Sequence, residues 1–246
     1  MYQFFVEPEQ ISGKRVVITG KDVNHIRNVL RMKVGEELSV KCSGDGREYR
    51  CGIKEFQEGQ IELEVWFIKE DAVELPCRVY LFQGLPKADK MELLIQKCVE
   101  LGAYEIIPMR TKRSVVKLDE KKAKQKVTRW QGISEAAAKQ SRRGVIPQIH
   151  EAVSFEQALA YAKDMDVRMI PYELAEGMQA TRELIGGIKR GQSVAVFIGP
   201  EGGFDESEIE AARRLGIVPV SLGKRILRTE TAGMAVLAFL LYQLDE

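Results

Sequence analysis

Two short segments near the end of this 246-residue chain have the composition of ligand loops. Val194-Ala195-Val196-Phe197-Ile198 runs directly into Gly199-Pro200-Glu201-Gly202-Gly203-Phe204. Asp205, with Glu208 three residues on, then gives a capping signal for a helix that carries Ile209, Ala212 and Leu215 inward and stops at Gly216. A tight glycine turn therefore joins a buried strand to a helix start. Glycine lets the backbone turn sharply and approach a ligand closely, and open α/β sheets bind ligands at the carboxyl ends of their strands. The spacing is neither the phosphate cradle G-x-x-x-x-G-K-[ST] nor the dinucleotide G-x-G-x-x-G. The residues alone define a loop for some ligand, with a plain turn as the alternative.

The second segment repeats the logic. Ser221-Leu222-Gly223 ends a strand, Lys224 to Arg228 form a loop, and Thr229-Glu230-Thr231-Ala232 leads into a helix from Ala232 to Leu244. Met234, Val236, Leu237, Phe239, Leu240 and Leu241 make that helix apolar nearly all round, so most of it must be covered by the domain or by a partner chain. Two successive strand–glycine–loop–helix units set their loops at one sheet edge. That is the arrangement of a shared pocket.

Other chemistries are poorly supplied. The only histidines, His25 and His150, are far apart, which disfavours a Ser-His-Asp hydrolase or a His-rich metal site. Cys42, Cys51, Cys77 and Cys98 form no C-x-x-C pair and fit reduced thiols. The start of the chain lacks the basic flank and cleavage site of a secretory signal, and no apolar run has the length of a membrane span. A cytoplasmic protein without metal is the expectation. The net charge of +1 hides an asymmetry: Arg110 to Arg143 holds twelve Lys or Arg against Asp119, Glu120 and Glu135. Such a segment is the footprint of a polyanion-binding surface, or else a solvated helix face; the Arg142-Arg143 pair and the basic residues elsewhere favour RNA.

The elements that must position these loops follow from periodicity. Residues 1–72 read as a β-rich unit: a strand at Val16–Thr19, a helix capped by Asp22 with Val23, Ile26, Val29 and Leu30 on one face, and a hairpin turning at Ser43-Gly44-Asp45-Gly46. Ile61, Leu63, Val65 and Phe67 alternate with Glu62, Glu64 and Trp66 as in a half-buried strand. Short strands at this spacing predict a small barrel. Arg27, Arg31, Lys33, Arg47 and Arg50 give it a basic face, for RNA docking or plain solvation. After a linker at Asp71–Pro76, residues 73–246 alternate strands (Arg78–Phe82, Glu105–Pro108, Val167–Pro171, Val194–Ile198, Val218–Leu222) with helices (Asp89–Leu101, Glu120–Gln140 and one begun by Ser154). That alternation predicts an α/β fold with a mostly parallel sheet.

GPEGGF followed by LGKRILRTETA resembles the second and third cofactor loops of the knotted SPOUT methyltransferases. Within them the chain is similar to the ribosomal RNA uridine-N3 methyltransferase family, RsmE. HIRNVLRMKVGE, KADKMELLIQKCVELG, IIPMRTKRSVVK and EAAAKQSRRGVIPQI extend the likeness over most of the chain, with Lys139 standing where the last motif carries an acidic residue. The resemblance implies an N-terminal PUA-like β-barrel and a C-terminal SPOUT domain threaded into a trefoil knot. It also implies a homodimer that uses S-adenosylmethionine, needs no metal, and methylates N3 of a uridine in small-subunit (16S) ribosomal RNA. The cofactor residues it implies are Pro171, Tyr172 and Glu173 in a first loop and Gly199, Pro200, Glu201, Gly202 and Gly203 in a second. A third loop supplies Leu222, Gly223, Ile226, Leu227 and Arg228, with Thr231 and Ala232.

Uracil N3 is a poor nucleophile until its proton leaves, so such an enzyme must stabilise an imide anion and align it for displacement. Arg228, always charged, is the candidate for the anion. Glu201 or Glu230 could take the proton if burial raised its pKa. For both, a structural hydrogen bond at a helix start is the alternative, and for Glu201 so is orienting the loop. For RNA the candidates are Arg27, Arg31, Lys112, Arg113, Arg142 and Arg143. Two other functions stay open: a non-catalytic RNA-binding ribosome-assembly factor, against which both intact loops argue, and a SPOUT enzyme acting on transfer RNA or a ribose hydroxyl.

Overall fold

The computed structural model describes residues 1–42, 45–70, 73–116, 120–175 and 177–244, with only the backbone of 120–122. Ser43 and Gly44 of the hairpin turn, Asp71 and Ala72 of the linker, and Lys117 and Asp119 of the basic segment lie outside these. The chain divides into two compact units, residues 1–74 with 138–146, and residues 75–137 with 147–246.

The first unit is built on β1 (Gln3–Val6), β2 (Ile11–Ser12), β3 (Arg15–Thr19), α1 (Lys21–Asn24), β4 (Glu37–Cys42), β5 (Arg47–Gln57) and β6 (Gln60–Glu70). They form a six-stranded sheet in the order β1-β4-β5-β6-β3-β2. Alternation along the strands sends Val16, Ile18, Leu38, Val40, Ile61 and Leu63 into one core. Gly52 on β5 seats the Trp66 ring, since a Cβ there would lie 2.2 Å from the indole. The short helix differs from expectation. Gly20 precedes it, Asp22 lies in its first turn without capping it, and the chain continues as a wider five-residue turn, His25–Val29. The wider turn rotates Val29 to the surface. Phe67 is likewise exposed rather than inward. Lys139 is not a free surface charge: its ammonium lies 3.4 Å from the Asp22 carboxylate.

Residues 138–146 close the first unit through a buried cation. Arg143 is 2% exposed. Its guanidinium grips the Glu74 carboxylate through Nε and Nη2, while Glu74 also accepts from the N–H groups of Gly144 (2.9 Å) and Val145 (3.1 Å).

The second unit holds β7 (Arg78–Gly84), α2 (Lys90–Glu100), β8 (Ala103–Arg110), most of α3 (Glu120–Gln140), β9 (Gln148–Ile149), β10 (Val153–Ser154), α4 (Phe155–Tyr161), β11 (Val167–Pro171), α5 (Gln179–Gly186), β12 (Ser193–Ile198), α6 (Glu206–Arg214), β13 (Val218–Val220) and α7 (Thr229–Leu244). The strand order is β10-β8-β7-β12-β11-β13, with β9 also on β8, and the described pairings are all parallel. Capping boxes at Ser154 and Asp205 start α4 and α6 where the sequence places them. Phe82 and Phe197 stack at 4.5 Å in the layer between sheet and helices. Leu215 ends α6 facing solvent, and α7 begins at Thr229, three residues earlier than expected. Val236, Leu237 and Leu240 of α7 are buried, whereas Phe239 is partly exposed and Tyr242 is 90% exposed. Among the described residues no helix is long and apolar enough to cross a membrane.

Breaking a buried ion pair from one side strands the other charge. Glu74→Ala is therefore expected to destabilise the first unit by about 3 kcal/mol in urea denaturation. An unchanged midpoint would show that Arg143 finds other compensation.

Candidate active site

Three loops leave the carboxyl ends of adjacent parallel strands: residues 171–173 after β11, 199–203 after β12, and 221–228 after β13. They meet around a cavity of about 490 Å³, a volume suited to a nucleoside-sized ligand. Of the residues assigned to the three loops from sequence, the structure brings all but Thr231 to the cavity wall. Thr231 faces solvent from the first turn of α7. Arg228 and Glu201 line the cavity; Glu230 does not.

Glycine is required where the loops crowd. A Cβ on Gly84, at the end of β7, would lie 2.6 Å from the Pro200 ring and backbone nitrogen. One on Gly199 would lie 3.1 Å from the backbone of Gly203, which itself adopts φ +67°. With no side chains in the way, backbone donors and acceptors border the cavity directly.

Hydrogen bonds lock the loops together. Thr229 Oγ1 donates to the Gly199 carbonyl (2.6 Å) and accepts from Gln83 Nε2 (2.8 Å), both residues being buried. The Tyr172 N–H donates to the Val220 carbonyl (2.9 Å), joining the first loop to the strand that leads into the third. Thr181 on α5 donates to the Ser221 carbonyl (2.8 Å) and accepts from the Ser221 N–H (3.2 Å). Neither Gln83 nor Thr181 is marked by a motif. Only the fold reveals their roles.

The charges fall into two groups. Glu201 Oε1 accepts from the Lys87 N–H and from Lys90 Nζ, each at 3.0 Å, and Lys90 Nζ lies 3.6 Å from Glu230 Oε2. Burial pushes the Glu201 carboxyl up, but hydrogen bonds from its own backbone, Lys90 and Lys87 outweigh that and hold it below the ordinary carboxylate range. The raised pKa required of a proton acceptor is thus not met at Glu201, which is held ionised. Lys90, together with Lys224 and Arg225, also lines the cavity. Lys224 and Arg225 belong to the third loop read from the sequence, whereas Lys90 is not legible there as a site residue, because chain spacing does not show that α2 faces the second loop. Among the described residues, no group of three His, Cys, Asp or Glu side chains is placed to hold a metal.

The basic candidates for RNA contact divide. In the second unit, Arg113 donates to the Gly202 carbonyl (3.1 Å) and Lys112 Nζ to Ser207 Oγ (2.6 Å), so both stand beside the second loop. Both also approach Asp205, whose carboxyl the Ser207 hydrogen bonds, with help from these cations, hold below its ordinary value. In the first unit Arg27, Arg31 and Arg142 are exposed, Arg27 lying over the Phe56 ring. Arg143 is different: it is buried on Glu74 and closed off from a phosphate.

Residues 73–241 match the RNA methyltransferase domain family, and residues 18–65 match the RNA methyltransferase PUA domain family. Ribosomal RNA small subunit methyltransferase E of Bacillus subtilis is 39% identical, over 100% of this chain and 98% of that protein. Its namesake in Mesomycoplasma hyopneumoniae is 32% identical over 96% and 97%. A solved Ribosomal RNA small subunit methyltransferase E from Neisseria gonorrhoeae, bound to S-adenosyl methionine, superposes with a TM-score of 0.83 at 29% identity, covering 99% of this chain and 98% of its own. A Legionella pneumophila structure named as a methyltransferase, with bound SAM, gives 0.84 at 31% identity, covering 98% and 97%. The chain belongs to the RNA methyltransferase family and, within it, to the ribosomal RNA small subunit methyltransferase E family.

Thr229→Val removes the acceptor of a buried amide and the donor to Gly199 while keeping the side chain's shape. It is expected to cost about 1–3 kcal/mol of stability. Thr229→Ser, which keeps the hydroxyl, should lose much less. Equal losses in chemical denaturation would assign the effect to packing.

Proposed function

We propose that this chain is an S-adenosylmethionine-dependent methyltransferase that acts on N3 of a uridine in small-subunit ribosomal RNA. The observation that carries the reading is the single cavity in which the three loops converge with Arg228 on its wall. Its volume and glycine-bounded backbone fit a nucleoside, and Glu173 places a carboxyl group on the same wall for the ligand's cationic end. The residues that hold it are those of the three loops: Pro171 to Glu173, Gly199 to Gly203, and Leu222 to Arg228 with Ala232. When bound, S-adenosylmethionine supplies an electrophilic methyl group on sulfur.

The chain's own residues do the rest. Arg228 presents a permanent cation with several donors at the cavity wall, suited to the negative charge that uracil gains as N3 loses its proton. Glu201 fixes the second loop through Lys87 and Lys90. Glu230 stands off the cavity wall beside the Lys90 ammonium, so it takes the structural alternative at the start of α7 rather than the part of proton acceptor. Lys112 and Arg113 flank the second loop as phosphate contacts, and Arg27, Arg31 and Arg142 serve the first unit.

The same reading includes a cytoplasmic homodimer and a knotted chain. Phe239 and Tyr242 on α7 offer an apolar surface to a second copy. The order β12-β11-β13 carries the chain past β11, and α7 returns to pack on β12 and α2, the kind of crossing a trefoil requires.

Arg228→Ala is expected to slow single-turnover methylation of small-subunit RNA by about 10²–10³-fold at saturating cofactor, the range for losing one preorganised charge-stabilising donor. Near-normal turnover, with cofactor affinity measured separately, would remove Arg228 from the chemistry.

A further inference from the structure

Lys90 sits in the first turn of α2, and its ammonium stands between two carboxylates from different parts of the site. Glu201 belongs to the second loop, while Glu230 belongs to the first turn of α7, directly after the third. The ammonium lies 3.0 Å from Glu201 Oε1 and 3.6 Å from Glu230 Oε2. It borders the cavity as well. Glu230 Oε2 is buried without a hydrogen bond among the described residues, and Lys90 is the cation recorded beside it. A buried carboxylate without compensation is costly, so the position of Lys90 constrains where Glu230 can sit.

We propose that Lys90 is a positioning residue of the methyl-donor site: one ammonium shared by Glu201 and Glu230 ties the second loop to the start of α7 and so sets the gap between two walls of the cavity. The proposal rests on reading that cavity as a methyl-donor site. Isolated surface ion pairs contribute little, but here one charge serves two partners and one partner is recessed. The backbone N–H of Lys87 holds the same Glu201 oxygen from the same segment, so the second loop is fastened to the start of α2 at two points. The Glu201 hydrogen bond also holds the Lys90 ammonium above its ordinary pKa, which keeps it a cation rather than a base. Lys90 thus acts through the two loops and takes no proton.

The test is calorimetric binding of S-adenosylhomocysteine to wild type, K90M, K90R, E201Q and the K90M/E201Q double variant. Amide exchange across residues 199–203 is measured in the same proteins without ligand. K90M is expected to bind about tenfold more weakly, near 1.4 kcal/mol. K90R, which keeps the charge, should recover most of that loss. The double variant should lose little beyond K90M alone, because both substitutions break one contact. Exchange across the second loop should speed up in K90M and E201Q even without ligand. If K90M does not fold, E201Q reads the same contact from the other side.

Unchanged affinity in K90M, or in E201Q where that variant stands alone, overturns the proposal. So does a double variant whose loss is the product of the single losses. Wild-type protein that binds the nucleoside and shows these effects but methylates no RNA would leave Lys90's role standing and sink the functional reading. Wild-type protein that does not bind would overturn both.

Discussion

The site depends on one buried hydroxyl. Thr229 Oγ1 accepts from the side-chain amide of Gln83 and donates to the carbonyl of Gly199, linking the end of β7, the glycine turn after β12 and the first residue of α7. All three chain segments have to arrive at this point for the cavity to have walls. Close backbone approach follows from it: Gly84 leaves no room for a Cβ against Pro200.

Around that constraint the charged groups take two roles. Some cations are structural. Arg143 is sealed on Glu74, Lys139 stands against Asp22, and Lys90 is shared by Glu201 and Glu230. Arg228, Lys224 and Arg225 border the cavity as Lys90 does, but with exposed side chains. Net charge along the chain does not separate the roles, and neighbours in sequence can differ: Arg142 faces solvent while Arg143 is buried. For phosphate binding the difference is decisive, since a guanidinium already gripped by a carboxylate has few donors left to offer.

Much of this was legible in the residues. Ser154 and Asp205 announce their helices because a capping box is a local device, complete within four residues. The strands before the second and third loops are legible as short apolar runs, and two strand–glycine–loop–helix units in series already imply a shared edge. What stayed hidden is long-range. Lys90 and Glu201 are 111 residues apart, and Gln83 and Thr229 are 146 apart, so no periodicity joins them. Val29 and Phe67 follow the apolar pattern yet face solvent; for Val29 a single widened turn rotates the face that a regular helix would bury. Phe239 and Tyr242 show the converse limit: an apolar helix announces that it wants cover without saying which side lacks it.

The cofactor comes from kinship, the proposed target atom from the resemblance of the sequence motifs and the convergent cavity from the fold, and one measurement joins them. Nucleoside mass spectrometry of small-subunit ribosomal RNA, from cells lacking this gene and from cells with it restored, tests whether the cavity serves uridine N3. The account predicts that 3-methyluridine disappears with the gene and returns with the wild-type chain but not with Arg228→Ala. Undiminished 3-methyluridine in the deletion would contradict it.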